Sequence, residues 1–332
     1  PNIARVFDAG TTQSGRPYFV MELVRGVPIT KFCDQNKLTT NMRLEVFMEV
    51  CAAVQHAHQK GIIHRDLKPN NILVTMNDDK PMPKVIDFGI AKATAHKLTD
   101  LTLFTQYHQF IGTPAYMSPE QAQMNNKDVD TRSDIYALGV LLYELLTGRT
   151  PIDTASLLER GQEAVFRAIS EQEPPRPSTR LNTLTHEERV EAGQLRREAP
   201  EKLRGSLKGD LDWVVMKALE KDRTRRYDTV NALRDDVTRY LLDQPVTAVA
   251  PSPVYKLRKF VRRNRVVRRC GGGCLIGLRA RPITMVIQAR TRRETSGRGT
   301  ARGCRRPTRG GCVPEGRGRG QRRTRQAVSI RC

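Results

Sequence analysis

Four polar residues, Asp66, Lys68, Asn71 and Asp87, bracket two short apolar runs at 72–74 and 85–86. Each run has the length of a short buried strand. Asn77, Asp78 and Asp79, followed by Lys80-Pro81, supply turn chemistry between them, so the stretch predicts a hairpin. Closing that hairpin brings its two ends together. Two carboxylates, an amide and an ammonium then share one small volume. The set suits phosphoryl transfer from a nucleotide. Mg²⁺ takes hard oxygen donors such as carboxylate and amide oxygen. A separate carboxylate must orient an attacking hydroxyl, and a cation must offset charge on the moving phosphoryl group.

Written out, the first polar group is His64-Arg65-Asp66-Leu67-Lys68-Pro69-Asn70-Asn71 and the second is Asp87-Phe88-Gly89. This pairing is the catalytic-loop signature of protein kinases. The chain resembles the eukaryotic-like (Hanks-type) Ser/Thr protein kinases of bacteria, including their membrane-anchored members. The resemblance implies an α+β, protein-kinase-like fold, mainly the helical C-lobe with two or three residual N-lobe strands. It makes Asp66 the catalytic base, and it gives Asn71 and Asp87 to Mg²⁺. Lys68 would contact the γ-phosphate of ATP and mark Ser/Thr rather than Tyr specificity. The stretch 112–120, Gly-Thr-Pro-Ala-Tyr-Met-Ser-Pro-Glu, is similar to the end of a kinase activation segment. On that likeness Thr113 bonds Asp66 and Lys68, and Thr94, Thr99, Thr102 and Thr105 lie where activating phosphorylation occurs. Arg65 could pair with such a phosphate, since guanidinium–phosphate contacts are bidentate and strong.

The elements that must position these groups can be read in order. Short apolar runs at 3–7 and 17–24 flank a Gly-Thr-Thr-Gln-Ser-Gly loop and predict an antiparallel pair. By resemblance this pair is the last of the N-lobe and runs into the hinge. Met21 would be the gatekeeper, main-chain groups of Glu22 and Val24 would bond the adenine, and Leu73 would lie beneath the ring. A Gly-rich loop, a third-strand Lys and a helix C Glu do not precede Pro1, so the expectation is an N-terminally truncated kinase with a weakened phosphate clamp. Leu44, Phe47, Met48, Cys51, Val54 and Ala57 recur at helical spacing and predict a helix over 40–60. His56 and His58 are two apart, so they do not share a face, and both read as helix-surface residues.

Residues 134–148 are apolar on nearly every face, which predicts a buried helix. In the kinase likeness this is helix F, with Asp134 bracing the catalytic loop. Glu120 would pair with Arg226. Residues 173–209 read as a linker plus a solvated helix. Amphipathic patterns at 211–219 and 230–237 predict two more helices, closing the domain by about Leu242.

Composition marks a boundary near Pro245. Net charge is +22 from 57 Lys and Arg against 35 Asp and Glu; residues 246–332 hold 24 of the former and 2 of the latter, so residues 1–245 balance at 33 each. The expected parts are therefore strands and hinge at 1–24, C-lobe at 25–245 and a basic Arg/Gly-rich tail at 246–332. With few apolar residues and high charge, the tail predicts disorder. It offers contact with nucleic acid phosphates or anionic lipid heads. A third reading is a shifted reading frame, since Arg, Gly, Ala and Pro share GC-rich codons. Cys33 and Cys51 stand alone in the neutral part, which fits a reducing, cytoplasmic setting rather than a disulfide framework. No apolar run reaches the roughly 18 residues of a membrane span.

The expected function is transfer of the ATP γ-phosphate to Ser or Thr hydroxyls of a protein substrate. The alternative is an impaired kinase fragment, or pseudokinase, acting as a binding module.

Overall fold

The hairpin closes as the turn residues require. β4 (Ile72–Asn77) and β5 (Lys80–Val85) pair antiparallel from Asn77 opposite Lys80 to Ile72 opposite Val85. Asp78 and Asp79 both take positive φ, 46° and 62°. That is the backbone of a two-residue turn matching the strands' twist. Pro81 and Pro83 sit on β5, an outer strand of a sheet ordered β3-β4-β5, where a missing N–H does least harm. The third strand is β3 (Val27–Pro28). The strands are longer than the apolar runs because the polar ends of the hairpin also pair.

This computed structural model describes residues 1–13, 17–88, 114–123, 129–249, 252, 253, 255, 259, 260 and 328–331. All belong to one unit made of residues 1–264 and 327–332. Near the N-terminus β1 (Val6–Thr11) pairs antiparallel with β2 (Pro17–Met21). β1 starts later than the apolar run at 3–7. Ile3 instead bridges Val85, with Ala4 donating to its carbonyl and Val85 donating to that of Asn2, both at 2.9 Å. Gly10 pairs with Tyr18, whose ring lies over it: a Cβ there would sit 2.7 Å from the ring and displace it.

The helices carry the core. In chain order they are α1 (Ile29–Gln35), α2 (Thr40–Gln59), α3 (Pro119–Ala122), α4 (Thr131–Thr147), α5 (Thr154–Leu158), α6 (Gln162–Glu171), α7 (Pro177–Thr183), α8 (His186–Leu195), α9 (Pro200–Leu207), α10 (Asp210–Ala218) and α11 (Val230–Leu241). α2 forms where periodicity places it, capped by Thr39 accepting from Met42 N, with Gly61 at φ 72° just beyond it. α4 is the central post. Asp130 caps it through Arg132 N at 2.7 Å, Gly148 ends it at φ 82°, and from Ser133 to Tyr143 every residue is buried. α10 lies hard against it: a Cβ on Gly139 would sit 2.8 Å from that of Ala218.

The reading of 173–209 as a linker plus one solvated helix is corrected. Three short helices, α7, α8 and α9, pack there, burying Leu181, Ala192, Leu203 and Leu207. Two buried arginines fasten this layer. Arg43 donates to the carbonyls of Leu38, Cys33 and Leu195 at 2.9, 3.1 and 2.8 Å and pairs with Asp34. Arg196 donates to those of Ala192 and Leu145, both at 3.0 Å. Burial pushes the Arg196 guanidinium down to about 9. Apart from that of Leu38, these are carbonyls in the last turns of α1, α4 and α8, which carry partial negative charge. Cys33 and Cys51 are also buried, and burial raises both thiols, Cys33 to about 11.

Packing does not stop at Pro245. Asp236, fully buried, accepts from Thr247 N at 2.7 Å, Thr247 Oγ1 at 2.8 Å and Ala248 N at 2.9 Å. Tyr255 donates to Asp210 at 3.0 Å and packs edge-on against Trp213, and Lys259 pairs with Asp210. The expectation of disorder from residue 246 onward is thus corrected for Thr247, Ala248, Tyr255 and Lys259. β6 (Val328–Arg331) pairs with β2. Residues 261–327 lie outside the described residues. Among the described residues no helix is long and apolar enough to cross a membrane.

Candidate active site

After Gly61 the chain leaves α2 and enters a loop that Asp134 holds from beneath. Its Oδ2 accepts from His64 N and its Oδ1 from Arg65 N, both at 2.8 Å. Arg65 sits at φ 64°, in the left-handed region that a non-glycine residue occupies only when its surroundings hold it there. His58 Nε2 also meets Asp134 Oδ2, at 2.7 Å, with its side chain 6% exposed. Reading His58 as a surface residue is therefore corrected, while His56 is exposed. The signal was available in the spacing: position 58 follows Cys51 by seven and Val54 by four, on the buried stripe.

Three expected residues come together here. Lys68 Nζ lies 2.8 Å from Asp66 Oδ2. Asn71, in the short 3-10 turn Pro69–Asn71, donates Nδ2 to Asp66 O at 2.8 Å and to Asp66 Oδ2 at 3.1 Å. Those bonds orient the amide, and its oxygen has no protein donor among the described residues. β5 is tied to the same place. Ile86 N donates to Asn71 O at 2.9 Å, and Ile86 O accepts from His64 Nε2 at 2.9 Å. Asp87 follows at once, exposed and at φ 54°, and Phe88 packs on the His64 ring with centroids 4.7 Å apart.

His64 is a neutral wedge in this knot. Its Nε2 faces the Ile86 carbonyl and its Nδ1 accepts from Asp66 N at 3.3 Å, which fixes the tautomer. Burial, outweighing the Asp134 charge, lowers its pKa below the ordinary 6.5. The unfolded chain therefore binds more protons at His64 than the folded one just below that value. The stability tied to its neutral form is complete above about 6.5 and is lost as pH falls toward the depressed folded value. Thermal melts across pH 7.5 to 5 should show this loss, and a His64→Gln variant should show a smaller one; equal slopes would refute the assignment.

The expected nucleotide side lies on β2 and β4. Met21 ends β2, opposite Val6, and Glu22 N donates to Arg5 O at 2.8 Å. The Glu22 carboxylate is taken up by Lys84, whose hydrogen bond holds its pKa below the usual range. Val24 is half-buried beyond it. Gly26 brings this chain onto β4, where a Cβ would meet Val74 O at 2.9 Å and Leu73 Cβ at 3.0 Å. Leu73 thereby lies beside the expected hinge. Thr113, Thr94, Thr99, Thr102 and Thr105 lie outside the described residues.

The expected ion pair is present and bidentate. Arg226 donates from both terminal nitrogens to Glu120 at 2.8 Å, and Ser133 Oγ adds a bond at 2.6 Å. Both partners are buried.

Comparison with known proteins agrees with this geometry. The protein kinase domain family matches residues 1–237. The serine/threonine-protein kinase PknB of Mycobacterium tuberculosis is 36% identical over 252 residues, covering 75% of this chain and 34% of its own length. Pkn1 of Myxococcus xanthus is 37% identical over 238 residues, covering 70% and 29%. A probable PknB of Lactococcus lactis is 37% identical over 238 residues, covering 71% and 32%. This chain belongs to the protein kinase family. Its relatives are bacterial serine/threonine kinases, and it spans about a third of the PknB sequence from Mycobacterium tuberculosis.

Proposed function

We propose that this chain is the larger lobe and hinge of a serine/threonine protein kinase using ATP and Mg²⁺. The observation that carries the reading is the Asp66–Lys68–Asn71 knot, bonded through the backbone to the residue preceding Asp87.

The donor set fits the metal. Asn71 Oδ1 and the Asp87 carboxylate are hard oxygens with no protein partner among the described residues, where no cluster of three His, Cys, Asp or Glu occurs either. Mg²⁺ is ordinarily held by one or two carboxylates together with substrate phosphates and water, so a two-residue set is sufficient. When bound, the ion offsets charge on the phosphates. Asp66 orients the substrate hydroxyl and accepts its proton. Lys68 presents its ammonium beside that carboxylate, where the moving phosphoryl group passes. Main-chain groups at Glu22 and Val24 hold the adenine edge over Leu73, with Met21 behind it. Thr113 completes the proposed substrate platform, and the substrate is a protein presenting Ser or Thr.

Titration of the chain with a fluorescent ATP analogue, with and without Mg²⁺, tests the site. Asp87→Asn should weaken the Mg²⁺-dependent part by about 10–100-fold, at least the effect of losing a group that merely supports a metal ligand. Mg²⁺-independent binding, or equal affinity in the variant, would overturn the reading.

A further inference from the structure

Gln121 lies on α3, yet its side chain reaches the catalytic loop. Its Nε2 donates to the carbonyl of Arg65 at 2.9 Å, across 56 positions of sequence. Its Oε1 accepts from Ser118 N at 3.0 Å and from Ser118 Oγ at 3.1 Å. The amide therefore clamps the start of α3 with one end and the residue before Asp66 with the other. Arg65 O belongs to the same peptide unit as Asp66 N, which His64 Nδ1 receives at 3.3 Å. Arg65 N goes to Asp134. The peptide units on both sides of the left-handed Arg65 Cα are thus held by side chains. Asp134 and His64 belong to the lobe's interior, and Gln121 alone among these three comes from the segment running between Asp87 and α4. That segment is itself anchored, because Ser118 is fully buried and the neighbouring Glu120 is bonded to Arg226.

We propose that Gln121 is a positioning residue that ties the end of the 87–120 segment to the backbone of Asp66. The inference rests on Asp66 being the reacting carboxylate. A shift of α3 passes through one amide group to the peptide unit that aims the base.

Capping and positioning can be separated, because Glu serves as well as Gln at the third position of a capping box. Gln121→Glu keeps the acceptor for Ser118 and loses the donor to Arg65 O. Ser118→Ala removes only the hydroxyl contact and keeps that donor. Hydrogen exchange on the full chain, followed in the segment 62–68, should rise about tenfold in Gln121→Glu, the scale of one lost hydrogen bond, and stay unchanged in Ser118→Ala. In phosphotransfer assays kcat should fall about 10–100-fold in Gln121→Glu with KM for Mg-ATP unchanged. Unchanged exchange at 62–68, or an equal rise throughout α4 with a lower Tm, would overturn the proposal whatever the activity. Faster local exchange in a chain that transfers no phosphate would leave the tie standing and defeat the kinase reading instead.

Discussion

Replacing Asp66 with Asn will lower the rate of phosphotransfer by about 10²–10⁴-fold, the usual contribution of a positioned proton acceptor. Asn has the same shape and keeps an oxygen for the Lys68 ammonium and the Asn71 amide. It cannot accept the proton of an attacking hydroxyl. Stability should change by no more than about 0.5 kcal/mol, because Asp66 is partly exposed and its backbone is held by other groups. The measurement is kcat with Mg-ATP and a Ser/Thr-containing protein, beside a thermal melt of each chain. Equal rates from the two would end the case for Asp66 as the base.

Replacing Arg226 with Leu will destabilise the fold by about 3–5 kcal/mol, because it leaves Glu120 charged and buried without its partner. At about 2–4 °C per kcal/mol for a domain of this size, Tm should fall by roughly 6–20 °C. Arg226 also donates to the carbonyls of Arg132, Glu220 and Lys221, so the variant releases three further acceptors. The pair should also show in pH dependence. Burial raises the Glu120 carboxyl, but the Arg226 bonds and charge, with Ser133, outweigh it and hold the pKa below its ordinary value. Its contribution is complete above the unfolded carboxylate value of about 4.3 and is lost as pH falls toward the lower folded value. Melts at pH 7 and pH 4 should converge in Arg226→Leu relative to the unaltered chain. A variant as stable as the parent at pH 7 would show that the pair contributes no net stability.

The candidate site was legible because the proposed phosphoryl transfer admits few residue types. Asp66, Lys68, Asn71 and Asp87 could be picked out by kind and spacing, and the turn residues Asp78 and Asp79 closed the hairpin between them. α4 was legible because it is apolar all round. The misses share a cause: residues whose burial depends on distant partners. Nothing local marks Arg43 and Arg196 as buried; carbonyls from α1, α4 and α8, with that of Leu38, surround them. His58 is paired only because Asp134, 76 positions later, meets it. α7, α8 and α9 bury a few leucines in a charged stretch, too sparse for a period to show. The docked piece after Pro245 reads as basic linker because Asp210 and Asp236 are remote from it in sequence. Gln121 left no local signal beyond its place in a capping box.

That docked piece changes the reach of the chain that follows Pro245. As a free flexible tether, the 14 residues from 246 to 259 would give whatever follows a reach of about 20 Å. With Tyr255 and Lys259 fastened to Asp210, position 259 has no such reach, and its place is set by those contacts and not by the length of chain before it.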